Sequence, residues 1–271
     1  MSENIYPRVI LGLDISTACI GASIVLDNGE DIPKILKITH ISPKISNKIK
    51  GMEALFLRKK IFEEEFIPTL KDYGITDVVV EEPLLSSNNV NTVATLLRYN
   101  GMISECIYRE LNIIAQPISS YDARMFSFPD LVSIRKYNKR GEEYPYKHIT
   151  RALENGDIVL FGAYPFDIDK KTVMMNKVNE IYTDIEWIYN KKGELRKENY
   201  DACDSLICAL AYVNINHHGL DRPVVENYNI STTTGTGEIE IDYTTKIWDR
   251  IYNKKLVLSA PKGKDKKIQA K

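Results

Sequence analysis

The sequence is poor in the features that mark several large classes of protein. Its 271 residues include four cysteines, Cys19, Cys106, Cys203 and Cys208. Each stands alone inside an apolar stretch, so their spacing spells neither a zinc site nor a redox pair. Reduced, packed thiols are expected. No stretch approaches the roughly 20 apolar residues needed to cross a bilayer. The start of the chain also lacks a basic head followed by an apolar run. A soluble chain in the cytoplasm, with no membrane partner, is therefore expected. A surplus of either charge is missing too, since 36 Lys and Arg face 37 Asp and Glu and the formal net charge is -1. Such a balance gives no overall attraction to nucleic acid, and any contact of that kind must use local basic clusters. Glycine-rich loops that could cradle nucleotide phosphates are also wanting, because Gly235 and Gly237 lie in a polar stretch and not between a strand and a helix. No internal repeat is apparent.

What is present is enough apolar sequence, 44% of residues, for one substantial core. The chain opens with three β-rich runs, residues 9–14, 20–26 and 35–41, and Asp27-Asn28-Gly29 is a turn signal between the second and third. These read as an antiparallel meander. From Gly51 to Leu70, Leu55, Ile61, Phe62 and Phe66 recur at helical spacing, with Pro68 near the end. The unbroken valines of residues 75–82 predict a central strand closed by Pro83. A long helix over Asn89 to Glu110 and a fifth strand over Asn112 to Ser119 follow, an order that favours a parallel pair. Helices are predicted over Lys171 to Ile181 and Asn199 to Val213. The expected fold is α/β, one mixed five-stranded sheet flanked by helices. It occupies residues 1–220, with an insertion near 130–170. Residues 221–271 read as a polar, lysine-rich C-terminal extension that is mobile.

Four acids stand out from this frame. Asp14 ends the first strand on the face shared by Ile10 and Gly12, and an unpaired carboxylate inside an apolar strand is costly unless a cation or hydrogen bonds compensate it. Glu81 and Glu82 end the valine strand on opposite faces, so only one of them can join Asp14. Asp201 and Asp204 are spaced i, i+3 on one face of a helix whose Ala202, Leu206, Ala209 and Val213 form an apolar stripe. Each has a plainer reading: Asp14 could cap the turn at Ser16-Thr17, and the two helical aspartates could cap free amides. Their joint placement is what points to a metal centre.

In these three runs, Gly12-Leu-Asp-Ile-Ser-Thr17 with Gly21, Val80-Glu-Glu-Pro83, and Asp201-Ala-Cys-Asp-Ser205 with Ala209, the sequence resembles the RuvC-like Holliday junction resolvases of the RNase H-like nucleases. The resemblance spans about residues 8 to 215. It implies an RNase H-like fold, metal binding by Asp14, Glu81, Asp201 and Asp204, with Glu81 a better match than Glu82, and two magnesium ions for which manganese substitutes. It also implies a homodimer acting on branched DNA such as four-way junctions, cutting by two-metal hydrolysis to leave a 5′-phosphate. A basic residue at the scissile phosphate is implied as well, with Lys171 fitting best and Lys170 its rival. Asp14 is expected to bridge both ions while the other three acids share the remaining positions. The helix from Asn89, through Val93, Leu96, Leu97, Gly101 and Ile103, is the expected dimer face. Phosphate contacts are expected from Arg135, Lys136, Lys139 and Arg140, from Lys191, Lys192, Arg196 and Lys197, and from the tail lysines. Where the bacterial resolvases carry a wedging aromatic, this chain departs from the pattern with Leu84 and Leu85. The insertion and tail exceed the family's compact pattern and point to a divergent member, in the host cytoplasm if viral. Two alternatives share parts of the pattern: an actin-like or sugar-kinase ATPase, and an RNase H acting on RNA:DNA hybrids.

Overall fold

A computed structural model describes residues 7–83, 89–138, 140–156, 161–162, 169–247 and 250–260. Leu84 and Leu85 lie outside them, as do Lys139 and the tail lysines from residue 262 onward.

The chain divides into two compact units, one made of Met1–Ser127 and Lys171–Gly219, the other of Phe128–Lys170 and Leu220–Lys271. The first contains a five-stranded sheet in the order β3-β2-β1-β4-β5. Strands β1 (Arg8–Ile15), β2 (Ile20–Asp27) and β3 (Lys34–Ile41) form an antiparallel meander, and β4 (Asp77–Glu81) and β5 (Gln116–Ile118) join parallel to β1. This mixed sheet, flanked by helices, is the RNase H-like arrangement. One face packs Leu11, Leu13, Val78 and Val80 against Leu55, Phe62, Phe66 and Leu70, and against Tyr99, Ile103, Cys106 and Ile107. The last four belong to α2 (Val90–Leu111), whose N-terminus Asn89 caps through its side-chain oxygen.

Local chemistry moved two of the expected boundaries. The helix expected over Gly51 to Leu70 ends as α1 (Gly51–Ile61), widens into a π turn at Phe62–Phe66 and tightens into a 3-10 stretch at Ile67–Tyr73. Pro68 has no N–H to donate and its ring crowds the carbonyl four residues back, so an α-helix cannot pass through it unchanged. The fifth strand shrinks to three residues. Asn112 ends α2 with a left-handed φ of 57°, and Pro117 is tolerated because β5 lies at the sheet edge, where a missing donor leaves no ladder bond unmade.

The opposite sheet face carries α6 (Glu198–Tyr212), nearly all of it buried. This helix sits close because β1 and β2 offer glycines where side chains would collide. A Cβ at Gly12 would stand 2.1 Å from the Ser205 carbonyl oxygen, and one at Gly21 1.9 Å from that of Asp201. Two further helices, α3 (Ser120–Ser127) and α5 (Lys170–Ile181), follow β5 and precede α6. Ser127 Oγ donates to the Ile207 carbonyl at 2.7 Å, tying α3 to α6.

The second unit differs from the expected mobile tail. Strands β8 (Val224–Thr232), β9 (Ile239–Ile247) and β10 (Arg250–Leu258) form an antiparallel sheet. The Thr- and Gly-rich stretch is the end of β8 and the turn into β9, with Gly235 and Gly237 at positive φ. The insertion belongs to this same unit. It contributes the short pair β6 (Ser133–Ile134) and β7 (Phe161–Gly162), and α4 (Tyr146–Glu154). Its Ile134 N–H donates to Tyr243 Oη at 2.9 Å, and Glu143 accepts from the Ser259 N–H and hydroxyl at 2.6 and 2.8 Å. Among the described residues no helix is long and apolar enough to cross a membrane. All four cysteines are buried and free.

Candidate metal centre

The period of two along β1 sends Leu11 and Leu13 into the α1/α2 core and Ile10, Gly12 and Asp14 toward α6. Glu81 follows the same rule. It ends β4 two residues beyond Val79, on the face opposite Val78 and Val80, and so stands on Asp14's side while Glu82 is exposed. Asp204 enters from α6, pressed to the sheet by the glycine contacts. Among the described residues, Asp14, Glu81 and Asp204 form a group in which one carboxylate oxygen from each lies within 4.8 Å of the others.

Asp201 is not in that group. Three residues earlier on α6, it sits about 4.5 Å further along the helix axis. Lys171 Nζ spans the gap, 3.7 Å from Asp201 Oδ1 and 3.8 Å from Asp204 Oδ2, and 5.7 Å above the Tyr200 ring. Lys171 is the second residue of α5 and lies inside the helix, where the sequence resemblance set a basic residue ahead of it; Lys170 and Lys171 are both exposed.

The plainer reading of Asp14 is met by another group. Ser16 Oγ accepts the Cys19 N–H at 3.0 Å and donates to the Cys19 carbonyl at 2.8 Å, so the turn after β1 is closed without Asp14. No side-chain cap bond is made at Lys197, the N-cap of α6; Asp204 lies beyond the first turn, whereas Asp201 stands in it with Glu198, where a carboxylate complements the helix dipole.

Like charges at this range raise one another's proton affinity, and burial adds to the effect. Asp14 is held well above the usual carboxylate range, first by burial and then by Glu81, Asp204 and Asp201, with Lys171 opposing. Burial, then the Asp204 charge, pushes Glu81 up to about 7 against the pull of Arg124 and Lys171. Asp204, 7% exposed, is raised by burial, with Arg124 and Lys171 opposing and Asp201 adding. Three carboxylates that oppose one another's ionisation, with oxygen donors only, match a hard divalent cation, which would relieve their repulsion.

Arg124 is a site residue that sequence reasoning missed. It rides on α3 with its guanidinium 3.9 Å from Asp204 Oδ1 and its side chain 15% exposed. The signal was the run Ser119-Ser-Tyr-Asp122. Ser119 Oγ accepts the Asp122 N–H at 3.1 Å and donates to its carboxylate at 2.9 Å, a capped helix start two residues before Arg124.

Neither a family model nor a curated protein matches the sequence. Among solved structures, RuvC of Thermus thermophilus is similar at TM-score 0.46 and 14% identity, over 78% of this chain and 97% of that one. The same protein in complex with a Holliday junction substrate gives 0.48 and 14%, over 78% and 96%. The yeast mitochondrial Holliday junction resolvase Ydc2 gives 0.43 and 14%, over 78% and 80%.

Proposed function

We propose that this chain is a magnesium-dependent endonuclease that cuts branched DNA, four-way junctions foremost, leaving a 5′-phosphate. The observation that carries the reading is the group of Asp14, Glu81 and Asp204 within 4.8 Å, with Lys171 and Arg124 beside it. In this reading Asp14, Glu81 and Asp204, with Asp201 as a fourth carboxylate, hold two magnesium ions, and manganese substitutes for them. When bound, the ions supply the positive charge that favours attack by water on phosphorus and departure of the 3′ oxygen. Lys171 Nζ and the Arg124 guanidinium bind the non-bridging oxygens of the scissile phosphate, and the guanidinium offers paired donors that suit them. Gly12 and Gly21 hold the acids in register by letting α6 lie against the sheet.

Branched DNA follows from the resemblance of the three acidic motifs, and a two-fold dimer suits a junction's approximate two-fold symmetry. The dimer face we propose is α2. Val90, Leu97 and Tyr108 are 77, 46 and 50% exposed along one stripe, and a Cβ at Gly101 between them would meet nothing within 4 Å. A glycine inside a helix costs about 1 kcal/mol relative to alanine, and no contact among the described residues calls for it, whereas a close helix from a second copy does. Ile103, counted toward this face from the sequence, is instead fully buried in the core.

The test compares cleavage of a four-way junction, a flap, plain duplex and an RNA:DNA hybrid in magnesium, with Asp204→Asn beside the wild type. Junction cutting that falls more than ~100-fold in the variant is expected, beyond the range for changes that only support a ligand. Preference for the hybrid would move the reading to an RNase H, and equal activity of the variant would remove Asp204 from the chemistry.

A further inference from the structure

The four acids of the centre do not stand alike. One oxygen from each of Asp14, Glu81 and Asp204 lies within 4.8 Å of the others, a set that a single hard cation can take as it stands. Asp201 is outside that set, and the pair it makes with Asp204 already faces a positive charge. The Lys171 ammonium is 3.7 Å from Asp201 Oδ1 and 3.8 Å from Asp204 Oδ2. Both distances exceed the reach of a hydrogen bond, so charge rather than a directed bond holds it to these two acids. With its side chain 47% exposed, the ammonium has water to withdraw into.

Its own helix gives Lys171 no reason to be there. It is the second residue of α5, and a cation in a first turn meets the positive end of the helix dipole, where a carboxylate is the favoured charge. A lysine that served only as solvated surface would gain by pointing away from that end. Instead the ammonium lies against two acids of another helix, one of them the buried Asp204. Its charge reaches further, lowering the proton affinity of Asp14 and Glu81 as well.

A divalent cation held between Asp201 and Asp204 must share with the ammonium the same two oxygens. Magnesium bonds oxygen at about 2.1 Å. Such an ion would therefore stand no more than about 6 Å from Nζ, given the distances of 3.7 and 3.8 Å. A double and a single positive charge about 6 Å apart repel enough to weaken binding about tenfold even at the dielectric constant of water, and more beside a buried carboxylate.

We propose that Lys171 is a resident counter-charge that keeps the place of the second ion. Its ammonium neutralises the Asp201 and Asp204 pair until a divalent cation replaces it, so the centre fills in order: first at Asp14, Glu81 and Asp204, then between Asp201 and Asp204 with Lys171 withdrawn. The withdrawn ammonium is the group assigned above to the scissile phosphate. Substrate and second ion thus favour one another, because a DNA phosphate draws Lys171 off the acids. This proposal rests on the two-ion nuclease reading and assigns the regulation of that same site.

The experiment counts divalent ions on the full chain without DNA, titrating manganese at pH 8 and following the free ion by electron paramagnetic resonance. The wild type should bind one ion and then a second at least ~10-fold more weakly. Lys171→Met should tighten the second ion about tenfold or more and change the first much less. Lys171→Arg, which keeps the charge, should stay with the wild type, and Asp201→Asn added to Lys171→Met should abolish the gain. In a junction-cleavage assay Lys171→Met should cut more slowly despite its tighter ions, since the phosphate has lost a partner. Equal binding by the wild type and Lys171→Met, or a gain shared alike by both ions, overturns the proposal even where junctions are cut. A gain confined to the second ion in a protein that cuts no DNA upholds it and removes only the nuclease reading. A chain that binds no manganese in any of these forms overturns both.

Discussion

Glu81 offers the sharpest probe of the acidic group, because replacing it should stabilise the protein while spoiling it for metal. Its carboxyl is pushed up from 4.5 to about 7 by burial and by Asp204, so the folded chain holds that proton more tightly than the unfolded chain does. The resulting stability is present in full below about pH 4.5 and is lost as pH rises through about 7. One pH unit is worth about 1.36 kcal/mol, and ionising Glu81 therefore costs the metal-free fold about 3 kcal/mol by pH 8, an upper bound because the neighbouring acids titrate with it. Glu81→Gln keeps the shape and removes the charge. In EDTA at pH 8 the variant should melt higher than the wild type, by up to ~6–12 °C for a unit of this size. At pH 5 the gap should largely close, since the wild-type carboxyl is then protonated. Saturating magnesium should narrow or reverse the order at pH 8: binding at 100 times Kd adds about 2.7 kcal/mol to the wild type, and less to a variant lacking a ligand. Scanning calorimetry at both pH values, with EDTA or magnesium, reads all four cases. A variant that melts below the wild type in EDTA at pH 8, or a gap indifferent to pH, would refute the account of a strained acidic cluster.

Three further outcomes follow from named contacts. Gly12→Ala sets a methyl 2.1 Å from a backbone carbonyl and 2.9 Å from Ser23 Oγ, so α6 must shift; a loss of at least ~1–3 kcal/mol and weaker magnesium binding by calorimetry are expected, and wild-type values for both would disprove the close approach. Arg124→Ala removes a charge that lowers the proton affinity of Glu81 and Asp204; the pH for half-maximal magnesium binding should move upward, with Arg124→Lys moving it less, and an unmoved profile would leave Arg124 without electrostatic weight. Gly101→Ala should raise the stability of the monomer by about 1 kcal/mol while loosening the α2 dimer in sedimentation runs, and an unaltered or tighter dimer would send the interface elsewhere.

The two parts of the molecule differed in how openly the sequence declared them, and the reason lies in how each buries its surface. Asp14 and Glu81 were legible because a strand's period of two fixes which neighbours share a face, and the hydrophobic partners Leu13 and Val80 fix which face is core. Asp204 was legible through the helical period, but its depth was not: that depends on Gly12 and Gly21 admitting a helix backbone at contact distance, a relation between segments 180 or more residues apart. Arg124 was missed because its helix has eight residues, too few for periodicity to show, and its capping run had to be read in its place. The strands of the second unit were hidden by composition rather than by pattern. Ile239, Ile241, Tyr243, Thr245 and Ile247 alternate strictly and are all buried in β9, while the intervening Glu240, Asp242, Thr244 and Lys246 make the stretch look polar on average. A sheet with one face in water needs only every second residue to be apolar, so a mean over the segment erases the signal that the alternation carries.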